Sequence, residues 1–230
     1  MALASALSNI ANDNSPKAGR NPRVRFSQIV SLSGGENEGA AAQTDLAYEE
    51  HAFFGFARGE EFSCPASWLG QLIERAGRKA TMRGLRGRPI AVCAPSAALA
   101  HPDAPMAAEA GAARANLCPQ EFRLEFADCA LVDEEYSALD NLYGFYHRGF
   151  RIGIDARTSW ASPFDTDARM LIEAVRLDAR MVDEVRFDED RLDAALGAGV
   201  MLYAENMQWR DAEKMLSMGI THALDPRPDC

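Results

Sequence analysis

Four short apolar runs in this chain stop at an acid: FRLEFAD at Glu125 and Asp128, RIGID at Asp155, VRLD at Asp178 and VMLYAE at Glu205. Isolated carboxylates at such places cap helices or face solvent. Glu125, Asp155 and Glu205 together form a different kind of set, an all-oxygen group of the sort that holds Mg²⁺ or Mn²⁺, hard cations that prefer carboxylates and carbonyls to thiols. Soft-ligand chemistry has no such support. The five cysteines (Cys64, Cys93, Cys118, Cys129, Cys230) are odd in number and scattered, with no C-x-x-C pair, and are expected to be reduced thiols. The four histidines (His51, His101, His147, His222) are not at ligand spacing, so no His-based metal site is expected.

The acids matter only if the chain converges them, and its pattern of elements predicts that it does. Eight β-rich runs follow one another: RFSQIVSL, HAFFGFAR, RPIAVCA, EFRLEF, FRIGID, EAVRLD, GVMLYAE and GITHAL. Helical spacing separates most of them. In PASWLGQLIERAGRKA the residues Trp68, Leu69, Leu72, Ile73 and Ala76 share a face, as do Tyr136, Leu139, Leu142, Tyr143 and Tyr146 in DEEYSALDNLYGFYHRG, which Gly149 closes. Shorter helical segments fit AAEAGAARANL, DARMLIEA, EDRLDAALGAG and WRDAEKMLSMG. The first two runs are separated only by a loop, SGGENEGAAAQTDLAYEE, and are expected to pair as an antiparallel hairpin. Alternating strands and helices in one domain of this size favour a (β/α)₈ barrel, in which chemistry gathers at the C-terminal strand ends. Residues 1–22 read as a flexible tail and 23–230 as a single domain.

Composition narrows the classes further. The 230 residues are 47% hydrophobic and 25% charged, an ordinary globular balance, and the net charge of −10 disfavours nucleic acid and anionic membrane surfaces as partners. No apolar run is long enough to span a bilayer, and the N-terminus has no basic leader, so a cytoplasmic location is expected.

The order and spacing of LEFAD, GFRIGIDARTSW, VRLDARMV, LYAENMQ and EKMLSMG resemble the EAL domain, the bacterial cyclic-di-GMP phosphodiesterase family. The resemblance implies a modified TIM barrel with an antiparallel first strand, and in active members two divalent cations with a lysine assisting the attacking water. Motif by motif, it also implies losses. For the second-strand pattern Y-E-A-L-L-R, FFGFAR puts Phe54 at the glutamate and retains Arg58, a phosphate-binding candidate, whereas a match through YEEH would keep Glu49 and lose the arginine. Cys93 stands at the metal-binding asparagine of the third strand. In E-[LI]-T-E the first acid remains as Glu125 and the second becomes Asp128.

The pattern D-D-F-G-T-G becomes Asp155, Ala156, Arg157, Thr158, Ser159 and Trp160, so the second bridging aspartate and the loop glycines are gone. Arg176 replaces the lysine of K-I-D ahead of Asp178, Gln208 replaces the second acid of A-E-G-V-E after Glu205, and Leu224 replaces the glutamine of the eighth strand. Arginine stays protonated and cannot substitute for a tunable lysine.

Three ligand positions therefore remain acidic (Glu125, Asp155, Glu205) while the rest of the catalytic unit is replaced. Because members of such a unit act non-additively, the expectation is a degenerate, non-catalytic EAL-like regulator with no metal cofactor. Arg176 is expected to pair with Asp155 or Glu125 in place of metal. Such a protein would act by binding another regulatory protein, with cyclic-di-GMP reception without hydrolysis as the alternative, and residual Mg²⁺- or Mn²⁺-dependent hydrolysis as a third reading. Trp160, Phe164, Met181, Met207 and Trp209 are the candidate interaction surface, and the altered loop at Trp160 could serve a homodimer. The chain shows no GGDEF-like, PAS-like or receiver-like segment, so control is expected from expression, partner or oligomer.

Overall fold

A computed structural model describes residues 23–45, 48, 64–132, 138–160, 170–182 and 189–225. Eight strands close into a barrel in sequence order: β1 (Val24–Ser31), β2 (Asn37–Thr44), β3 (Ile90–Ala94), β4 (Phe122–Ala127), β5 (Arg151–Asp155), β6 (Ile172–Asp178), β7 (Met201–Glu205) and β8 (His222–Leu224). β1 is antiparallel to both its neighbours, β2 and β8, and all other pairings are parallel. The barrel, the mixed sheet and the antiparallel first strand agree with the expectation from sequence.

The second strand does not fall where the sequence pattern placed it. It is Asn37–Thr44, inside the stretch read as a connecting loop, so Phe54 is not a second-strand residue; Glu49, Phe54 and Arg58 lie outside the described residues. The segment NEGAAAQT has weak intrinsic strand preference, and its place is decided by tertiary packing. Ala40, Ala41 and Ala42 are all buried between β1 and β3, and the short turn after β1 is made by Gly35 at φ 75°. A second difference lies in DARMLIEA, where Ile172–Ala174 begin β6 instead of continuing a helix.

The helices described are α1 (Pro65–Met82), α2 (Ser96–Leu99), α3 (Ala104–Arg114), α4 (Cys129–Val132), α5 (Ala138–His147), α6 (Glu189–Gly197) and α7 (Ala212–Ser217). α1 buries Trp68, Leu69, Leu72, Ile73 and Ala76, the face its periodicity predicted. It crosses α3 closely enough that a Cβ on Gly111 would come within 2.2 Å of the Gly70 carbonyl oxygen. In α5 the residue that enters the core beside Leu142 is Phe145, and Tyr146, expected on that face, is 46% exposed; Gly149 ends the segment at φ 90° as anticipated.

Two apolar layers surround the barrel, one joining α1, α3 and α5 to the first five strands and one joining α6 and α7 to β5 through β8. The interior is filled by Ile29, Ala41, Ala91, Ala174, Tyr203 and Leu224. Alanines at three of these positions leave the volume that the fully buried Tyr203 ring fills. Among the described residues no helix is long and apolar enough to cross a membrane.

Candidate functional site

Side chains alternate across a strand, so residues two apart on β4 through β7 share the barrel interior. Arg123 and Glu125, Gly153 and Asp155, Ala174 and Arg176, and Tyr203 and Glu205 are the pairs so placed. Register then sets their neighbours: Cys93 lies opposite Glu125, Glu125 opposite Gly153, Asp155 opposite Arg176, and Arg176 opposite Tyr203. Gly153 sits in this crowded layer, where a Cβ would be 3.1 Å from Glu125 Cγ and 3.3 Å from the Ala174 carbonyl oxygen, so a larger residue would push its neighbours by a few tenths of an ångström.

The three acids picked from sequence do converge, and each is held by arginine. Arg157 meets Asp155 with a two-pronged fork, Nε to Oδ1 at 2.7 Å and Nη2 to Oδ2 at 2.6 Å, and reaches Glu205 at 3.3 Å. Arg176 donates to Glu205 at 2.6 Å and to Glu125 at 3.4 Å. Arg123 donates to Glu125 at 3.2 Å, and the Tyr203 hydroxyl also donates to Glu125. The count balances, with Arg123, Arg157 and Arg176 against Glu125, Asp155 and Glu205. Arg123 and Arg176 also approach the Tyr203 ring, their guanidinium carbons 5.0 Å and 6.0 Å from its centroid.

The pairing of Arg176 with Glu125 agrees with the sequence expectation. Its other partner is Glu205, and Asp155 is taken by Arg157, to which sequence reasoning had given no role. A local signal for that clamp was present. The tripeptide Asp-Ala-Arg occurs at the ends of both β5 and β6, and both copies fold the same way. Asp178 accepts from the Arg180 backbone N–H at 2.9 Å and from its guanidinium at 3.0 Å and 2.6 Å, as Asp155 accepts from the Arg157 N–H at 3.3 Å and from its guanidinium. An Asp bonding the backbone two residues on is a common turn device, here reinforced by the arginine it positions.

Protonation follows from these contacts. Burial acts to raise the Asp155 carboxyl, but the Arg157 hydrogen bonds and the charges of Arg157 and Arg176 outweigh it and hold it below the usual range. Hydrogen bonds from Arg180 hold Asp178 down at about 2. Burial pushes the Cys93 thiol up to about 12, with Arg176 opposing, so Cys93 is a neutral group among charges. Burial, then the charge of Glu125, carries the Tyr203 phenol well above its ordinary value, which keeps it a donor.

The remaining substituted positions are placed as follows. Ala156 is buried and its N–H bonds the Arg176 carbonyl, so the position of the second bridging aspartate has no donor atom. Asp128 is buried, with Ser159 Oγ at 3.4 Å, and Gln208 is exposed ahead of a 3₁₀ turn, Trp209–Asp211. Leu224 fills the barrel interior. On the true second strand the interior residue is Ala41, and the one acid, Glu38, lies at the opposite end of the barrel bound to His222 at 2.9 Å. Among the surface candidates, Trp209 is 42% exposed, Trp160 is half-buried against the outer core, Met181 is half-buried, and Met207 is core; Phe164 lies outside the described residues.

These residues do not fit a divalent cation. Among the described residues no three His, Cys, Asp or Glu side chains are arranged to hold one. A metal at Asp155 and Glu205 would have to displace the guanidinium of Arg157, and at Glu125 that of Arg176. Neutral Cys93 and Ala156 offer it nothing in exchange.

Neither a family model nor a curated protein matches the sequence. Solved structures do. The chain superimposes on PaMucR phosphodiesterase in its c-di-GMP complex with a TM-score of 0.73 at 16% identity, covering 91% of this chain and 97% of that one. The fold is that of the EAL domains. The EAL domain of Mycobacterium smegmatis DcpA gives 0.68 at 16% identity over 90% of this chain and 93% of that one. Klebsiella pneumoniae BlrP1, in a calcium and cy-diGMP complex, gives 0.72 at 16% identity, and this chain spans 56% of its length.

Proposed function

We propose that this protein is a degenerate, non-catalytic EAL-type regulator in cyclic-di-GMP signalling that acts by binding another protein. One observation carries the reading: the three acids Glu125, Asp155 and Glu205 are each paired with arginine of the same chain, Asp155 with Arg157, Glu205 with both Arg157 and Arg176, and Glu125 with Arg176 and Arg123. Metal-dependent hydrolysis needs cations that polarise the phosphodiester and also generate the nucleophile from bound water; a guanidinium can meet phosphate oxygens but cannot ligate a water and lower its pKa. A barrel that has lost its chemistry can keep a surface for contacts with another protein. Trp209, exposed just beyond β7, provides an aromatic anchor of the kind that dominates protein interfaces.

The test is incubation of the purified chain with cyclic-di-GMP and Mn²⁺ or Mg²⁺, paired with calorimetry of the same mixture. The proposal expects neither linear product nor a metal-dependent heat. Turnover abolished by Asp155→Asn would restore the enzyme reading. Tight nucleotide binding without turnover would favour the receptor reading.

A further inference from the structure

Where the start of β1, paired with the C-terminal end of β2, meets α1, Arg23, Val24, Arg25, Arg75 and Lys79 line an open pocket of about 310 Å³. Four of the five lining residues are cationic in a chain of net charge −10. The placement is built by regular geometry: Arg23 and Arg25 are two apart on one side of an extended segment, and Arg75 and Lys79 are four apart on one helix face. Like charges at that helical spacing destabilise the helix, so the arrangement is not explained by the helix itself.

Neighbouring acids offset this charge only in part: Glu74 is within electrostatic reach of Arg75. Among the described residues no carboxylate makes an ion pair with Arg23, Arg25, Arg75 or Lys79. Glu74, adjacent to Arg75 in sequence, spends its carboxylate on Arg78 at 2.7 Å and Arg114 at 2.5 Å. Asp45 accepts from the backbone N–H of Arg23 at 2.6 Å. Lys79 donates to the Val24 carbonyl, which ties the strand to the helix and holds the pocket's two sides together. The Nη1 of Arg75 is buried with no hydrogen-bond partner, although a donor in that state carries a desolvation penalty.

We infer that this pocket is a binding site for a small phosphate-bearing dianion or polyanion, with a diphosphate group as the best match in charge. Three guanidinium groups line the pocket and offer planar forks suited to phosphate oxygens. The volume is at the low end for ligand sites, enough for a phosphate chain and not for a whole nucleotide buried from solvent. The exposed guanidiniums of Arg23 and Arg25 leave the mouth open for whatever the phosphates are attached to.

The experiment is calorimetric titration of the full chain with inorganic pyrophosphate, with ATP, and with acetate as a monoanion control, at low and at physiological salt. Saturable binding of pyrophosphate, weakened at least tenfold by Arg75→Gln and by Arg25→Gln but unchanged by Arg78→Gln on the same helix, is the expected result. Equal affinity for pyrophosphate and ATP identifies the phosphates alone as the recognised group. Tighter ATP binding that keeps the same variant dependence extends the site to a nucleoside carried outside the pocket. The inference is overturned if wild-type protein shows no saturable heat with either phosphate, or if Arg75→Gln binds as wild type does. Circular dichroism of Arg75→Gln separates loss of the site from loss of the fold, and a variant that fails to fold passes the decision to Arg25→Gln, whose side chain is exposed.

Discussion

Replacing Arg176 with methionine removes one guanidinium from the centre of the barrel and leaves its hydrophobic stem. Arg176 and Glu125 are only 2% and 1% exposed, and Glu205 is 15% exposed, so both carboxylates lose a partner in a poorly solvated place. Breaking a buried ion pair from one side costs about 3–5 kcal/mol. Each acid retains a second cation here, Arg123 at 3.2 Å for Glu125 and Arg157 at 3.3 Å for Glu205, which puts the expected loss near the lower figure. For a chain of this size ~3 kcal/mol lowers Tm by about 6–12 °C. Urea denaturation and calorimetry measure it directly. Arg176→Lys, which restores the charge but not the fork, should fall between, and Arg176→Met with Glu205→Gln should cost less than the sum of the two singles. A loss under about 1 kcal/mol for Arg176→Met, or additive singles, would refute the idea that arginine holds these acids together.

Three further outcomes follow from particular contacts. Gly111→Ala should destabilise by about 1–3 kcal/mol because its Cβ meets the Gly70 carbonyl oxygen, whereas Gly197→Ala, with nothing within 4 Å, should be neutral or stabilise by about 0.5–1 kcal/mol; paired urea melts decide this. Asp178 is held at about 2 and Asp155 is also lowered, so both bind protons more weakly folded than unfolded. Their stabilisation is complete above an unfolded value of ~3.9 and is lost as pH falls toward about 2, and Asp178→Asn should show a shallower fall of Tm through that window. Cys93, its thiol pushed up to about 12, should alkylate at pH 8 far more slowly than the exposed Cys64, Cys118 and Cys129, as read by mass spectrometry of iodoacetamide-treated protein.

The barrel was legible because most of its strands are short β-rich runs, four of them stopping at acids, and the helix period of α1 is unambiguous. β2 was not, because its alanines carry no strand signal and HAFFGFAR, richer in aromatics, outcompeted them; only packing between β1 and β3 selects Asn37–Thr44. The convergence of Glu125, Asp155 and Glu205 followed from strand ends in a closed barrel. The identity of their partners did not, since Arg176 reaches Glu205 and Arg123 reaches Glu125 through alternation and register that single-strand patterns do not contain. Arg157 is the instructive case. Asp-Ala-Arg occurs three times in the chain, and the two copies at the ends of β5 and β6 are both clamps, while the copy at 167–169 lies outside the described residues; the motif signals a clamp where it stands at the end of a strand.

The proposed function has arginines holding Glu125, Asp155 and Glu205 in place of metal, and Mn²⁺ binding tests it with no reference to turnover. Electron paramagnetic resonance of Mn²⁺ mixed with an excess of the full chain should show the free aquo-ion signal undiminished, and the melting temperature should not move with added metal. Loss of that signal at a stoichiometry of one or two ions per chain, reversed by Asp155→Asn, would contradict the account.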